Sequence, residues 1–196
     1  ILATGGKSYP ITGSNGDGYT LAQSVGHTIV EPKPALVPII CKEKWVKEVE
    51  GLSLNNVQIS AYQGKKKVTE RFGEALFTEE GMSGPIIIDM SREVGDALEN
   101  GKVELSVDLK PALSEQTLDE RVISDFHRYR KKEYKNSLKK LLPSSLIPVV
   151  IRLSNIDPEK KVAEISSEER KSLVKLLKDL RLTVTKLYSW DRAIVT

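Results

Sequence analysis

Val103, Leu105, Val107 and Leu109 alternate with Glu104, Ser106 and Asp108, directly after the turn signal Asn100-Gly101. Successive strand side chains point to opposite faces, so this spacing specifies a strand with one face buried and the other wet. Val57, Ile59 and Ala61 repeat the pattern. Gln63-Gly64-Lys65 then offers a turn, and Val68 begins a partner strand. The apolar run Pro85-Ile86-Ile87-Ile88 predicts a further strand, buried on both faces. Short strands with no helix between them point to a small barrel or sandwich over about Glu31 to Pro111.

From about Ala112 to Leu180 the periodicity changes. Ser114 predicts the cap of a helix bearing Leu118, Val122 and Phe126 at four-residue steps. A basic helix over 127–140 is expected next, stopped by Pro143. Ser144 and Ser145 can start another around Leu146, Val149, Val150 and Leu153. Ser166-Ser167-Glu168-Glu169 has the form of a capping box ahead of Leu173, Val174, Leu176, Leu177 and Leu180. Strand texture returns at Leu182-Thr183-Val184 and at Ala193-Ile194-Val195. The expected class is α+β, with a helical subdomain over 112–180 inserted into a β-barrel-like domain of 31–111 and 181–196.

Composition narrows the function classes. Hydrophobic residues at 39% and charged residues at 29% describe a globular chain rather than a disordered one. No apolar run approaches the roughly 18 residues of a membrane helix, so no membrane partner is expected. Cys41 is the single cysteine and has no internal disulfide partner, which fits a reducing cytoplasm. A net charge of +3 is too weak to select a polyanion, so any such preference must come from local clustering.

The opening residues hold the sharpest chemistry. Ile1 to Ala3 have the character of a buried strand's end, and Ala3-Thr4-Gly5-Gly6 leads out of it. Thr12-Gly13-Ser14-Asn15-Gly16-Asp17-Gly18 then leads into a helix bearing Tyr19, Ala22 and Val25, which Gly26 stops. Asn15 or Asp17 is the expected cap. Glycines let a flat or anionic ligand approach the main chain, and a helix N-terminus favours negative charge. The same pattern also suits an ordinary tight turn.

These residues, with Ser8-Tyr9-Pro10, Gly26-His27-Thr28-Ile29, Pro34-Ala35-Leu36-Val37-Pro38, Gly73 to Thr78, Gly81-Met82-Ser83-Gly84-Pro85 and Ala193 to Thr196, resemble the BaiN-type or aminoacetone-oxidase-like NAD(P)/FAD-dependent flavoproteins. Members of that family begin with a Rossmann strand-loop-helix bearing G-x-G-x-x-G, a motif this chain does not contain. The resemblance implies an internal fragment of an FAD-dependent oxidoreductase. Residues 1–30 would be a short βα remnant of the Rossmann-type FAD domain, whose N- and C-terminal segments are missing here. The insert would cover the flavin's substrate side, with NAD(P)H as a possible electron donor. By resemblance, Ala3, Thr4, Gly5 and Gly6 would line the cofactor, with Thr12, Gly13, Ser14, Asp17 and Gly18 near it. Lys7 stands where a small or apolar residue is expected. The resemblance names no catalytic acid or base, and the fragment alone is expected to be inactive and not to retain FAD.

A second signal is the basic run containing Arg128, Arg130, Lys131, Lys132, Lys135, Lys139 and Lys140, interleaved with His127, Tyr129 and Tyr134. Cations with aromatics between them suit RNA phosphates and bases, and they also suit a solvated helix face. The alternatives are therefore an enzyme acting on a small molecule or RNA, and an RNA- or protein-docking module with no chemistry of its own. Ser83 sits in a loop like a nucleophile's, but His27 and His127 have no carboxylate nearby in sequence, so a tight turn is expected there. Cys41, Trp45 and Trp190 are expected to be packing residues, and no residues have metal-ligand spacing.

Overall fold

A computed structural model describes all of residues 1–196. Six strands close into an antiparallel barrel: β1 (Ile39–Cys41), β2 (Ser53–Gln63), β3 (Lys66–Phe77), β4 (Gly81–Ser83), β5 (Val103–Asp108) and β6 (Leu180–Leu187). Their order around the barrel is β1-β4-β3-β2-β5-β6. β2 and β3 form the expected hairpin, turning at Gly64, with Gln63 opposite Lys66. The alternation read from the sequence holds in β5, where Val103, Leu105 and Val107 are buried. In β2, Val57, Ile59 and Ala61 are buried as expected, and Ser60 between them is buried too, its hydroxyl bonded to Glu70.

Helix α1 (Asp17–Ser24) precedes the barrel, and α2 (Pro85–Leu98) falls between β4 and β5. Helices α3 (Glu115–Tyr129), α4 (Ile147–Ser154) and α5 (Ser167–Lys178) lie between β5 and β6. Those two strands pair directly, with Val107 opposite Leu180, so the chain makes its helical excursion from one strand and returns on the next. α2 approaches all six strands and adds Ile86, Ile87, Met90 and Val94 to their core.

Residues 85–88 therefore open a helix, where a doubly buried strand was predicted. Pro85 occupies the first turn, where its fixed φ and missing N–H cost nothing, and Ile88 donates its N–H to the Gly84 carbonyl. The burial of 86, 87, 90, 94 and 97 has helical spacing, which a four-residue apolar run is too short to reveal.

The basic helix predicted over 127–140 is also broken. α3 ends at Tyr129, and residues 130–134 cross to pair with 160–163 through Val162 N–H to Lys132, Ala163 N–H to Arg130 and Tyr134 N–H to Lys160. Only single 3-10 turns follow, at Tyr134–Asn136 and Leu138–Lys140. Burial of Tyr134, Leu138, Leu141 and Leu142 against the core overrides helix propensity here, and the Tyr134 hydroxyl donates to Ser154 Oγ at 3.1 Å.

Ser114 and Ser166 cap as the sequence predicts, but neither Ser144 nor Ser145 caps α4, which starts behind Leu146 after a turn closed by Leu146 N–H to Pro143. Ser114 Oγ accepts from Thr117 N–H at 3.1 Å, and Ser166 with Glu169 forms the full capping box. α3 and α5 are tied by Arg170 to Asp119 at 2.7 Å. Lys178 reaches Asp108 at 2.6 Å and also donates to the Lys110 and Leu113 carbonyls.

Ile1 to Ala3, predicted as the end of a buried strand, are exposed and pair with nothing. Strand texture alone does not make a strand without a neighbour to bond to. Ala193 to Val195 form a single bridge, between Val195 and Ala35, rather than a strand. The cap of α1 is Gly16, with φ near +89°, while Asn15 Oδ1 accepts from Asp17 N–H at 3.1 Å. No helix is long and apolar enough to cross a membrane.

Candidate functional site

Residues 1–18 form a crescent outside the barrel core. Its two arms touch at three places, one of them where a side chain on Gly16 would fall onto the Lys7 methylenes. A side chain on Gly18 would fall onto the Thr4 hydroxyl, and one on Gly5 would meet Ser14 Oγ at 3.1 Å. Gly13, with φ near +96°, faces open space. Tyr9, Thr12 and Gly13 make the turn between the arms, where the Thr12 hydroxyl donates to the Tyr9 carbonyl at 2.7 Å and Gly13 N–H donates to Pro10.

Ala3, Thr4, Gly5 and Gly6 thus lie beside Ser14 and Gly18, with most of the segment exposed. Gly18 is buried, and its missing side chain makes room for Thr4. Asp17 is held by Asn15, whose amide donates to the carboxylate at 2.9 Å. Leu2 and Ile11 of the crescent are exposed apolar side chains, as are Leu21, Val25 and Val30 in the chain that follows. A bare main-chain edge with exposed apolar side chains fits a flat ligand lying against it.

The Lys7 side chain packs along Gly16. Its ammonium approaches the Tyr19 and Trp190 rings at 5.9 and 6.0 Å from their centroids, and lies 3.7 Å from Glu31. A cleft of about 1230 Å³, lined by none of residues 1–18, runs between residues 30–36, α2, Thr185 to Leu187 of β6 and Val195-Thr196. Much of its charge is already paired. Arg71 bridges Asp89 and Glu93, and Lys33 bridges Asp96 and Glu99.

The basic run gathers only in part. Lys131, Lys132 and Lys139 surround a shallow hollow of about 410 Å³ with Glu133, Asn136 and Lys161. Lys132 lies 4.5 Å from the Tyr129 ring centroid. Lys135 instead pairs with Glu159 and Glu133, which hold its pKa above the ordinary lysine value. Arg130 turns to a separate groove beside Phe126, His127 and Ile165, and Arg128 is exposed without a carboxylate partner. Lys161 was invisible to a reading of the local run, because pairing with the 130–134 segment brings it in from a distance.

The remaining candidates are structural. Trp45 packs edge-on against Phe77 with ring centroids 5.7 Å apart. Cys41 is buried, and burial, aided by Glu43, pushes its thiol up to about 12. Ser83 ends β4, paired with Leu76, where a tight turn was expected; Gly84 alone separates the strand from α2.

Three curated proteins align with the whole chain. A 3-dehydro-bile acid delta(4,6)-reductase of Clostridium scindens is 29% identical, with 48% of its own length covered. A ribosomal RNA dihydrouridine synthase of Haemophilus influenzae is 29% identical, with 46% covered. A protein of the same description from Escherichia coli is 25% identical, again with 46% covered. The chain therefore spans about half the length of the curated relatives it matches. The family model for the HI0933-like protein barrel and H2TH domain matches residues 33–195, the span holding the closed barrel and the three helices between β5 and β6. By that match, the chain belongs to the HI0933-like protein family.

Proposed function

We propose that this chain is part of an FAD-dependent oxidoreductase, in which the crescent of residues 1–18 lies against the cofactor and the barrel with its helices covers the flavin's substrate side. The observation behind this reading is the crescent itself, an exposed main-chain edge with Gly13 open to solvent and no tie to the barrel strands. A self-contained domain gains nothing from such an edge. The names of the relatives agree, since a reductase and a dihydrouridine synthase both describe addition of hydrogen. When bound, the flavin would supply the two-electron chemistry, with NAD(P)H as a candidate donor. This chain's Ala3, Thr4, Gly5 and Gly6 would hold the ring's edge by main-chain contact. Thr12, Gly13 and Ser14 would sit beside it, and the exposed apolar side chains would exclude water.

The test is the full-length protein. Purified, it should be yellow and bind FAD in stoichiometric amount. Replacement of Gly13 by Val should weaken that binding by more than about tenfold, since the side chain would fill the open space proposed for the cofactor and a φ near +96° strains a branched residue. A colourless protein with no affinity for added FAD would overturn the reading.

The basic hollow supports a second statement, about substrate. Lys131, Lys132, Lys139 and Lys161 share one surface, of which only Lys161 is paired with an acid, at 3.7 Å. Two relatives are named for ribosomal RNA. We propose that this surface docks RNA, with Arg128 and Arg130 nearby. Binding should then weaken with salt, each lost phosphate contact lowering the logarithmic slope by about 0.7 for single strands. Charge reversal of Lys131, Lys132 and Lys139 to Glu should abolish binding at low salt. Unchanged binding would remove RNA docking and leave a small-molecule substrate.

A further inference from the structure

We infer that Thr196 is a positioning residue, whose side-chain oxygen clamps the crescent and ties its cofactor-facing edge to the orientation of the barrel. The inference rests on the flavoprotein reading above for its cofactor half only. Thr196 Oγ1 accepts hydrogen bonds from two consecutive main-chain groups, Lys7 N–H at 2.8 Å and Ser8 N–H at 3.2 Å. The Ser8 hydroxyl lies 2.9 Å from the same oxygen. Successive N–H groups converging on one oxygen form a nest, a geometry that fixes the backbone of the turn. Gly6 belongs to the same device. A side chain there would fall onto the Thr196 hydroxyl, so the bareness of Gly6 admits the clamp.

The remaining ties of the crescent go the same way. Tyr9 N–H donates to the Trp190 carbonyl at 2.9 Å, and Lys7 faces Trp190 and Glu31. No hydrogen bond or ion pair joins residues 1–24 to any barrel strand or to α2. The barrel therefore reaches the crescent only through residues 188–196 and the linker before β1. Those two segments are themselves joined, by Tyr188 N–H to Pro38 at 3.0 Å and by Ala35 and Val195 bonding each other at 3.0 and 3.3 Å. Val195 is bonded to the linker while its neighbour Thr196 is bonded to the crescent. A displacement of the Ala35–Val195 bridge carries Thr196 with it, and so the turn that follows Gly5 and Gly6. In this way an event on the barrel side reaches the cofactor edge through the Thr196 hydroxyl, beside the Tyr9–Trp190 and Lys7–Glu31 ties.

The experiment compares T196V and T196S with wild type in the full-length protein. Amide hydrogen exchange at Lys7 and Ser8 is measured with flavin removed, FAD affinity by fluorescence titration, and the thermal midpoint as a check on folding. In T196V both amides should exchange about tenfold faster and the FAD dissociation constant should rise about tenfold, the scale of one lost hydrogen bond. The midpoint should stay unchanged. T196S, which keeps the acceptor, should restore both values. Unchanged exchange in T196V would overturn the clamp, and faster exchange with unaltered FAD affinity would overturn the positioning role. Wild-type protein that binds no FAD would refute the flavoprotein reading and the cofactor half with it, while the exchange rates would still decide the clamp.

Discussion

Gly81 in β4 lies so close to the main chain of Ile39 and Ile40 in β1 that a side chain at this position would fall onto the Ile39 carbonyl. The neighbours are backbone atoms of a paired strand and cannot rotate away. Replacement of Gly81 by Ala should therefore separate β1 from β4 and destabilise the barrel by about 1–3 kcal/mol, the usual scale of overpacking. Chemical denaturation of the variant checks this, and a value within error of wild type would contradict the packing.

The Arg170–Asp119 pair joins α3 to α5 through two contacts, at 2.7 and 3.2 Å, and both side chains are mostly buried. Removing the acid leaves a guanidinium short of its partner. Asp119→Ala should cost about 1–2 kcal/mol, at the low end for charged hydrogen bonds because some water reaches the site. The loss should appear in hydrogen exchange of α3 and α5 before it appears in the barrel.

Three groups make the fold sensitive to alkali. Burial pushes Cys41 and Tyr134 up to about 12, and burial together with Glu80 does the same for Tyr188. Each is raised in the folded state, so the unfolded chain loses its proton first. The corresponding stability is complete below the ordinary values near 9 and 10, and is lost as pH climbs from there towards 12. Unfolding free energy should fall across that window, and Tyr134→Phe should flatten the fall. By the same burial, Cys41 should resist alkylation at neutral pH until the protein is unfolded.

The 196-residue chain purified alone should hold no stoichiometric flavin, because it contains no G-x-G-x-x-G loop to seat a pyrophosphate. Absorbance near the flavin bands checks this directly. A yellow preparation would mean that the crescent binds more of the cofactor than its main-chain edge suggests.

Where burial follows a local period, the sequence could be read. Val103 to Val107 and Val57 to Ala61 announced their strands by alternation, and Ser166 with Glu169 announced a helix start through chemistry confined to four residues. Pro85 to Ile88 misled because four apolar residues fit either period, and the deciding neighbours Met90 and Val94 lie further along. The 130–140 segment misled because its fate was set by pairing with 160–163, which local propensity does not contain. At the candidate site the glycines were legible as a pattern, but their separate causes were not. Gly18 yields to Thr4 and Gly6 yields to Thr196, and that second partner sits at the other end of the chain.

The helical excursion leaves the barrel at Asp108 and rejoins it at Leu180, on staves that stand side by side. A lobe hung on adjacent staves can be lengthened, trimmed or re-surfaced without prising the cylinder apart. What the lobe grips is thus free to diverge among cousins of this protein while the cylinder beneath keeps its shape.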